Sequence, residues 1–111
     1  MAMPGDWTLH YNAGCTDNYA TTAMTFKPDG TWSMPSWGYT GQWVEVSGEI
    51  IFNFNVTGSK TIYAGNVAGS VAAGILSTFT GVTGCWYLTK EGAAPAKTAG
   101  PSIDPSGKPT T

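Results

Sequence analysis

Apolar and polar side chains alternate along most of the chain from Trp7 to Lys90. The clearest stretch is 49–56, where Ile50, Phe52, Phe54 and Val56 fall on one side and Glu49, Asn53 and Asn55 on the other. The same alternation sets Trp7, Leu9 and Tyr11 against Thr8, His10 and Asn12, and Met24 and Phe26 against Thr25 and Lys27. A period of two places successive side chains on opposite faces of an extended chain, so each segment has one dry and one wet face. The pattern predicts eight strands, near 6–12, 20–27, 30–34, 41–46, 49–56, 60–65, 69–77 and 83–90. No segment carries a helical period of 3.6.

The connections have turn chemistry. Pro28-Asp29-Gly30 reads as a tight turn, and Ser47-Gly48, Gly58-Ser59 and Gly65-Asn66 read as hairpin signals. Consecutive antiparallel strands must hide their unpaired edges, and eight strands close comfortably into a barrel with the first beside the last. The predicted fold is therefore all-β, an eight-stranded antiparallel up-and-down barrel, with a two-sheet β-sandwich as the alternative. Residues 1–5 read as an N-terminal extension and 6–90 as the barrel domain. Residues 91–111 hold four of the seven prolines among Ala, Gly, Ser, Thr and Lys. They read as a flexible tail, or else as an arm that docks on a neighbouring subunit.

Composition narrows the classes of function. The chain has 111 residues, five Trp, five Tyr and four Phe, so large aromatic rings supply most of a small core. Charged residues make up 11%, there are five lysines and no arginine, and the formal net charge is −2. A phosphate backbone needs a basic stripe, and this chain offers none, which excludes nucleic acid as a partner. No run of eighteen apolar residues predicts a membrane-spanning helix. Met1-Ala2-Met3-Pro4 reads as an initiator placed before a mature start. Cys15 and Cys85 lie at opposite ends of the strand series. They read as one disulfide in an oxidising compartment, secreted or periplasmic, with two buried free thiols as the alternative. Two cysteines and one histidine do not make a zinc site, and no cofactor or metal is expected.

Groups for catalysis are sparse. His10 sits on the face opposite Trp7, Leu9 and Tyr11, which a closed barrel exposes, and it has no partner nearby in sequence. Glu45 and Glu49 flank the Ser47-Gly48 turn and read as solvated turn charges rather than as a glycosidase pair. Asp17 and Asp29 read as turn residues that accept backbone N–H bonds. The richer feature is the aromatic run Trp32, Trp37, Tyr39 and Trp43, interrupted by Pro35, Gly38 and Gly41. Rings of this kind among Ser, Thr, Asn and Gln suit stacking on a sugar or closing over an apolar ligand. They also suit packing over a barrel end or a subunit contact.

On Gly5-Asp6-Trp7, Phe26-Lys27-Pro28-Asp29-Gly30-Thr31-Trp32, Gly41-Gln42-Trp43, Ile50-Ile51-Phe52-Asn53-Phe54, Tyr63-Ala64-Gly65 and Gly84-Cys85-Trp86, the chain resembles the small calycin-type barrels, the lipocalins and avidins. The resemblance covers about residues 5–90. It implies a meander barrel whose opening tryptophan plugs the closed end. Lipocalins set a basic residue across that tryptophan, and here Lys90 stands near the corresponding place. The chain also resembles small secreted bacterial metalloprotease inhibitors, barrels that open on W-x-L as Trp7-Thr8-Leu9 does. By this fold-level analogy the expected function is a secreted, non-enzymatic protein that binds a small apolar molecule or glycan at the open end. The expected ligand-binding residues are Trp32, Trp37, Tyr39, Trp43 and Tyr63. A protein-binding barrel, either protease inhibitor or self-assembling homo-oligomer, and a small barrel isomerase or cyclase are the alternatives.

Overall fold

The computed structural model describes residues 3–16, 19–55, 60–90 and 104–108. Eight antiparallel strands form a closed barrel in which each strand bonds to the next and the last returns to the first. They are β1 Gly5–Ala13, β2 Ala20–Phe26, β3 Thr31–Met34, β4 Tyr39–Val46, β5 Glu49–Phe54, β6 Ile62–Ala68, β7 Val71–Ser77 and β8 Thr83–Thr89. Closure is sealed by β1 on β8, with Leu9 opposite Leu88 and Tyr11 opposite Trp86. The sandwich alternative is thereby set aside, and the closed eight-stranded form is compatible with a calycin-like fold.

Alternation decides which side chains enter. Trp7, Leu9, Tyr11, Met24, Phe26, Trp32, Met34, Trp43, Ile50, Phe52, Phe54, Tyr63, Leu76, Trp86 and Leu88 point inward and are buried in one cluster. Their rings form a chain of edge and stacked contacts up the barrel axis. It runs from Trp7 to Phe26 at 6.4 Å, Phe26 to Phe52 at 5.5 Å, Phe52 to Tyr63 at 4.9 Å and Phe54 to Tyr39 at 5.8 Å between centroids. Buried indole N–H groups need acceptors, and backbone carbonyls supply them. Trp32 donates to Asn53 at 2.9 Å and Trp86 to Ile75 at 2.8 Å.

Two turns match their sequence signals. Ser47 and Gly48 both have positive φ, at 52° and 84°, as a type I′ hairpin requires. Asp29 Oδ1 accepts from the Thr31 backbone N–H at 3.0 Å, the turn-closing role expected of it. Gly65-Asn66 is a correction. Both residues lie inside β6, which continues to Ala68 before a turn at Gly69-Ser70. Gly65 pairs with Gly74, and a Cβ on Gly65 would lie 2.0 Å from the Ala73 carbonyl oxygen. This glycine allows β6 and β7 to approach closely, and does not make a turn. The predicted Gly58-Ser59 turn, Val56 and Asp17 lie outside the described residues.

Cys15 and Cys85 form a disulfide, with Cα atoms 4.9 Å apart across a sequence separation of 70. It ties the β1–β2 connection to the start of β8. A loop of this size is worth about 4–5 kcal/mol in the chain-entropy account.

Candidate functional site: the open end of the barrel

The two barrel ends are built from different connections. At the closed end lie the β2–β3, β4–β5 and β6–β7 turns, the chain entry before β1 and the chain exit at Lys90. Met3 is fully buried there, and its carbonyl accepts the Trp7 indole N–H at 2.7 Å, so the residues read as an N-terminal extension supply part of the core. Lys90 Nζ lies 5.5 Å from the Trp7 ring centroid and donates to the Pro4 carbonyl at 2.9 Å. The basic residue expected across the opening tryptophan is thus in place, held by a cation–π contact.

The open end is ringed by the β1–β2, β3–β4, β5–β6 and β7–β8 connections. Of the five residues expected there, Trp37 and Tyr39 reach the rim, where their rings lie parallel at 6.4 Å. Tyr63 stands below them inside the wall, with Phe54 between, 5.8 Å from Tyr39 and 5.6 Å from Tyr63. Trp32 lies deeper, edge-on to Phe54 at 4.7 Å, and forms floor rather than rim. Trp43 does not join them. Its indole N–H donates to the Lys27 and Thr31 carbonyls at 3.0 Å, which anchors it over the turn at the closed end.

The space among these rings is occupied by the chain itself. Asp104, Pro105, Ser106 and Gly107, inside the segment read as a tail, are buried. Four wall hydroxyls each donate to one of four successive residues. Tyr39 donates to Asp104 Oδ2 at 2.6 Å, Tyr63 to the Pro105 carbonyl at 2.6 Å, Thr61 to the Ser106 carbonyl at 2.5 Å and Thr80 to the Gly107 carbonyl at 2.8 Å. The segment is a closed turn. Asp104 Oδ1 accepts from the Ser106 and Lys108 backbone N–H groups at 2.8 and 3.2 Å and from Ser106 Oγ at 2.7 Å. Asp104 N–H donates to the Lys108 carbonyl at 2.8 Å, and Gly107 N–H to the Asp104 carbonyl at 2.9 Å.

Electrostatics keep this rim a set of donors. Burial, then the nearby Tyr11 and the Asp104 carboxylate, push the Tyr63 phenol well above its ordinary range. Burial, then Asp104 and Tyr39, do the same to Tyr11, and burial with the Asp104 hydrogen bond raises Tyr39. A protonated phenol donates, so the mouth presents O–H groups to whatever sits in it.

Thr61, Thr80 and the Asp104–Gly107 turn carry no pattern in the sequence that marks them as functional. A Pro-rich segment carries no strand or helix pattern, and its docking depends on hydroxyls distant in sequence. The Asp-Pro-Ser-Gly turn chemistry was the only local signal. His10 lies on the outer wall, stacked on Tyr87 at 4.1 Å, and burial lowers its pKa. Among the described residues no cluster of three or more His, Cys, Asp or Glu could hold a metal. No helix among them is long and apolar enough to cross a membrane. No protein-family model, curated protein or solved structure matches the chain at a significant level.

Proposed function

We propose that the protein is a non-enzymatic binding barrel that works in an oxidising compartment, secreted or periplasmic, and holds a small ligand at its open end. The ligand stacks on Trp37, Tyr39 and Tyr63 and is oriented by the hydroxyls of Tyr39, Thr61, Tyr63 and Thr80. The observation that carries this reading is the convergence of these four donors on one occupant above an aromatic floor. Apolar lining with a few convergent polar groups is the usual make-up of a ligand pocket. The Cys15–Cys85 disulfide supports the compartment. The test is native mass spectrometry of the protein purified from its source without denaturation. A retained small molecule, lost in Tyr63→Phe, supports the reading, and bare protein in both the wild type and a variant with the turn released contradicts it.

A second reading, self-assembly, is favoured by one outer face. Val44, Ile51, Ala64 and Ile75 are successive cross-strand partners over β4 to β7, and Val44, Ile51 and Ile75 are 53%, 48% and 67% exposed. Such a row is unusual on a monomer. Sedimentation of wild type and Ile75→Lys separates the readings, since a single monomeric species in both excludes assembly through this face.

A further inference from the structure

We infer that the open end is a peptide site that reads a reverse turn of sequence Asp-Pro-Ser-Gly residue by residue, and that Asp104–Gly107 is a tethered occupant which a free peptide of the same turn can replace. The inference rests on the binding reading above and names the ligand class for the same mouth.

Each position of the turn has its own requirement. At the first, one carboxyl oxygen takes the Tyr39 hydroxyl and the other takes the Ser106 and Lys108 N–H groups, so an aspartate both faces the wall and closes the turn. At the second, proline lacks an N–H and so buries no donor, while its carbonyl takes Tyr63. At the third, Ser106 Oγ bridges Asp104 Oδ1 at 2.7 Å and the Tyr39 hydroxyl at 3.3 Å. At the fourth, Gly107 has a φ of +95°, and a Cβ there would lie 2.3 Å from Thr78 Cβ. Only glycine meets both conditions. The wall offers O–H donors and the turn offers acceptors, so the match is complementary in chemistry as well as in shape.

The tether places this turn far from its origin. β8 ends beside Trp7 at the closed end, whereas the turn sits at the other end of a barrel whose first strand has nine residues, a length of about 30 Å at the usual strand rise. Thirteen residues, 91–103, join Lys90 to Asp104, and a chain of that length reaches about 45 Å when extended. An occupant carried on the same chain competes with a free one at an effective concentration on the order of millimolar. A free peptide at micromolar concentration is therefore kept out of the wild type.

The full chain carrying Gly107→Val releases the turn without altering the barrel wall, because the new side chain meets Thr78 and the backbone resists the positive φ. Isothermal titration with a synthetic peptide of residues 102–109 is expected to give binding to this variant at least about tenfold tighter than to wild type. The same peptide with Asp104→Asn, or with Gly107→Val, is expected to bind about tenfold more weakly or worse, from the loss of a charge-assisted bond or of the fit. A Gly107→Val chain with the circular dichroism of the wild type and no peptide binding overturns the inference. If that variant does not fold, the full chain carrying Asp104→Ala replaces it under the same criteria. Uptake of 1-anilinonaphthalene-8-sulfonate into the mouth without peptide binding overturns the peptide inference and leaves the binding barrel standing. Uptake of neither overturns both.

Discussion

The closed and open ends of this barrel are filled by different means. At the closed end Trp7 and Trp43 donate their indole N–H groups to the carbonyls of Met3, Lys27 and Thr31, which lie 4, 16 and 12 residues away in backbone beside or at the start of strands. At the open end Tyr39, Thr61, Tyr63 and Thr80 donate to a turn that lies 27 to 65 residues away in sequence. The first kind of seal forms with the strands and cannot leave without them. The second lies outside the strand ladder, since β1 to β8 close on one another without it, and on the inference above it can detach while the barrel stays closed. The difference separates a part built for stability from a part suited to exchange.

Four experiments press on that difference. Trp7→Ala empties the closed end and is expected to cost about 3–5 kcal/mol, seen as a large drop in the denaturant midpoint. Cys15→Ser with Cys85→Ser releases the β1–β2 connection from β8 and is expected to cost about 2–5 kcal/mol in the same assay, with the ladder still able to form. Tyr63→Phe removes one donor from the open end and strands the Pro105 carbonyl. It is expected to cost about 1–2 kcal/mol and to make residues 104–108 more susceptible to limited proteolysis while the strands stay resistant. Lys90→Met removes the charge over Trp7 and is expected to cost about 0.5–1 kcal/mol.

The pH dependence follows from the phenols. Tyr11, Tyr39 and Tyr63 hold their protons in the folded state above the ordinary phenol range. The unfolded chain loses those protons first, from about pH 10, so the stability they contribute is complete below that value and is lost as pH rises through the folded-state range. His10 acts at the other end of the scale. Burial lowers its pKa, so its contribution is present above about pH 6.5 and is lost as pH falls below it. Denaturant midpoints collected across pH check both signs.

Strand identity and the inward face were legible in the sequence because one side of each strand faces a common interior, whereas the outer face was not, since Val44, Ile51 and Ile75 are exposed and Thr8 and Asn12 are buried. Ile50, Phe52 and Phe54 declare their face by alternation alone, and the Ser47-Gly48 turn by its residue types. Gly65-Asn66 misled because a glycine needed for a close approach to Gly74 has the same sequence appearance as one needed for a turn. The candidate site was half legible. Trp37 and Tyr39 stand at the rim with Tyr63 buried below them, because rings near a barrel end are recognisable from strand position. Trp43 is close to them in sequence, but β4 carries its two ends to opposite ends of the barrel. The occupant was not legible, since Asp104–Gly107 belongs to no periodic segment and its partners come from β4, β6 and the connections beside Thr61 and Thr80.

Amide hydrogen exchange of the full chain compares the two ends in one measurement. The account predicts that the Ser106 and Gly107 amides, bonded to Asp104 within the docked turn, exchange far faster than the amides of β1 around Trp7 and Leu9. It also predicts that they exchange more slowly than in a free peptide of the same sequence. Exchange of the turn together with the β1 strand, only on global unfolding, would contradict the account by making the open-end seal as permanent as the closed one.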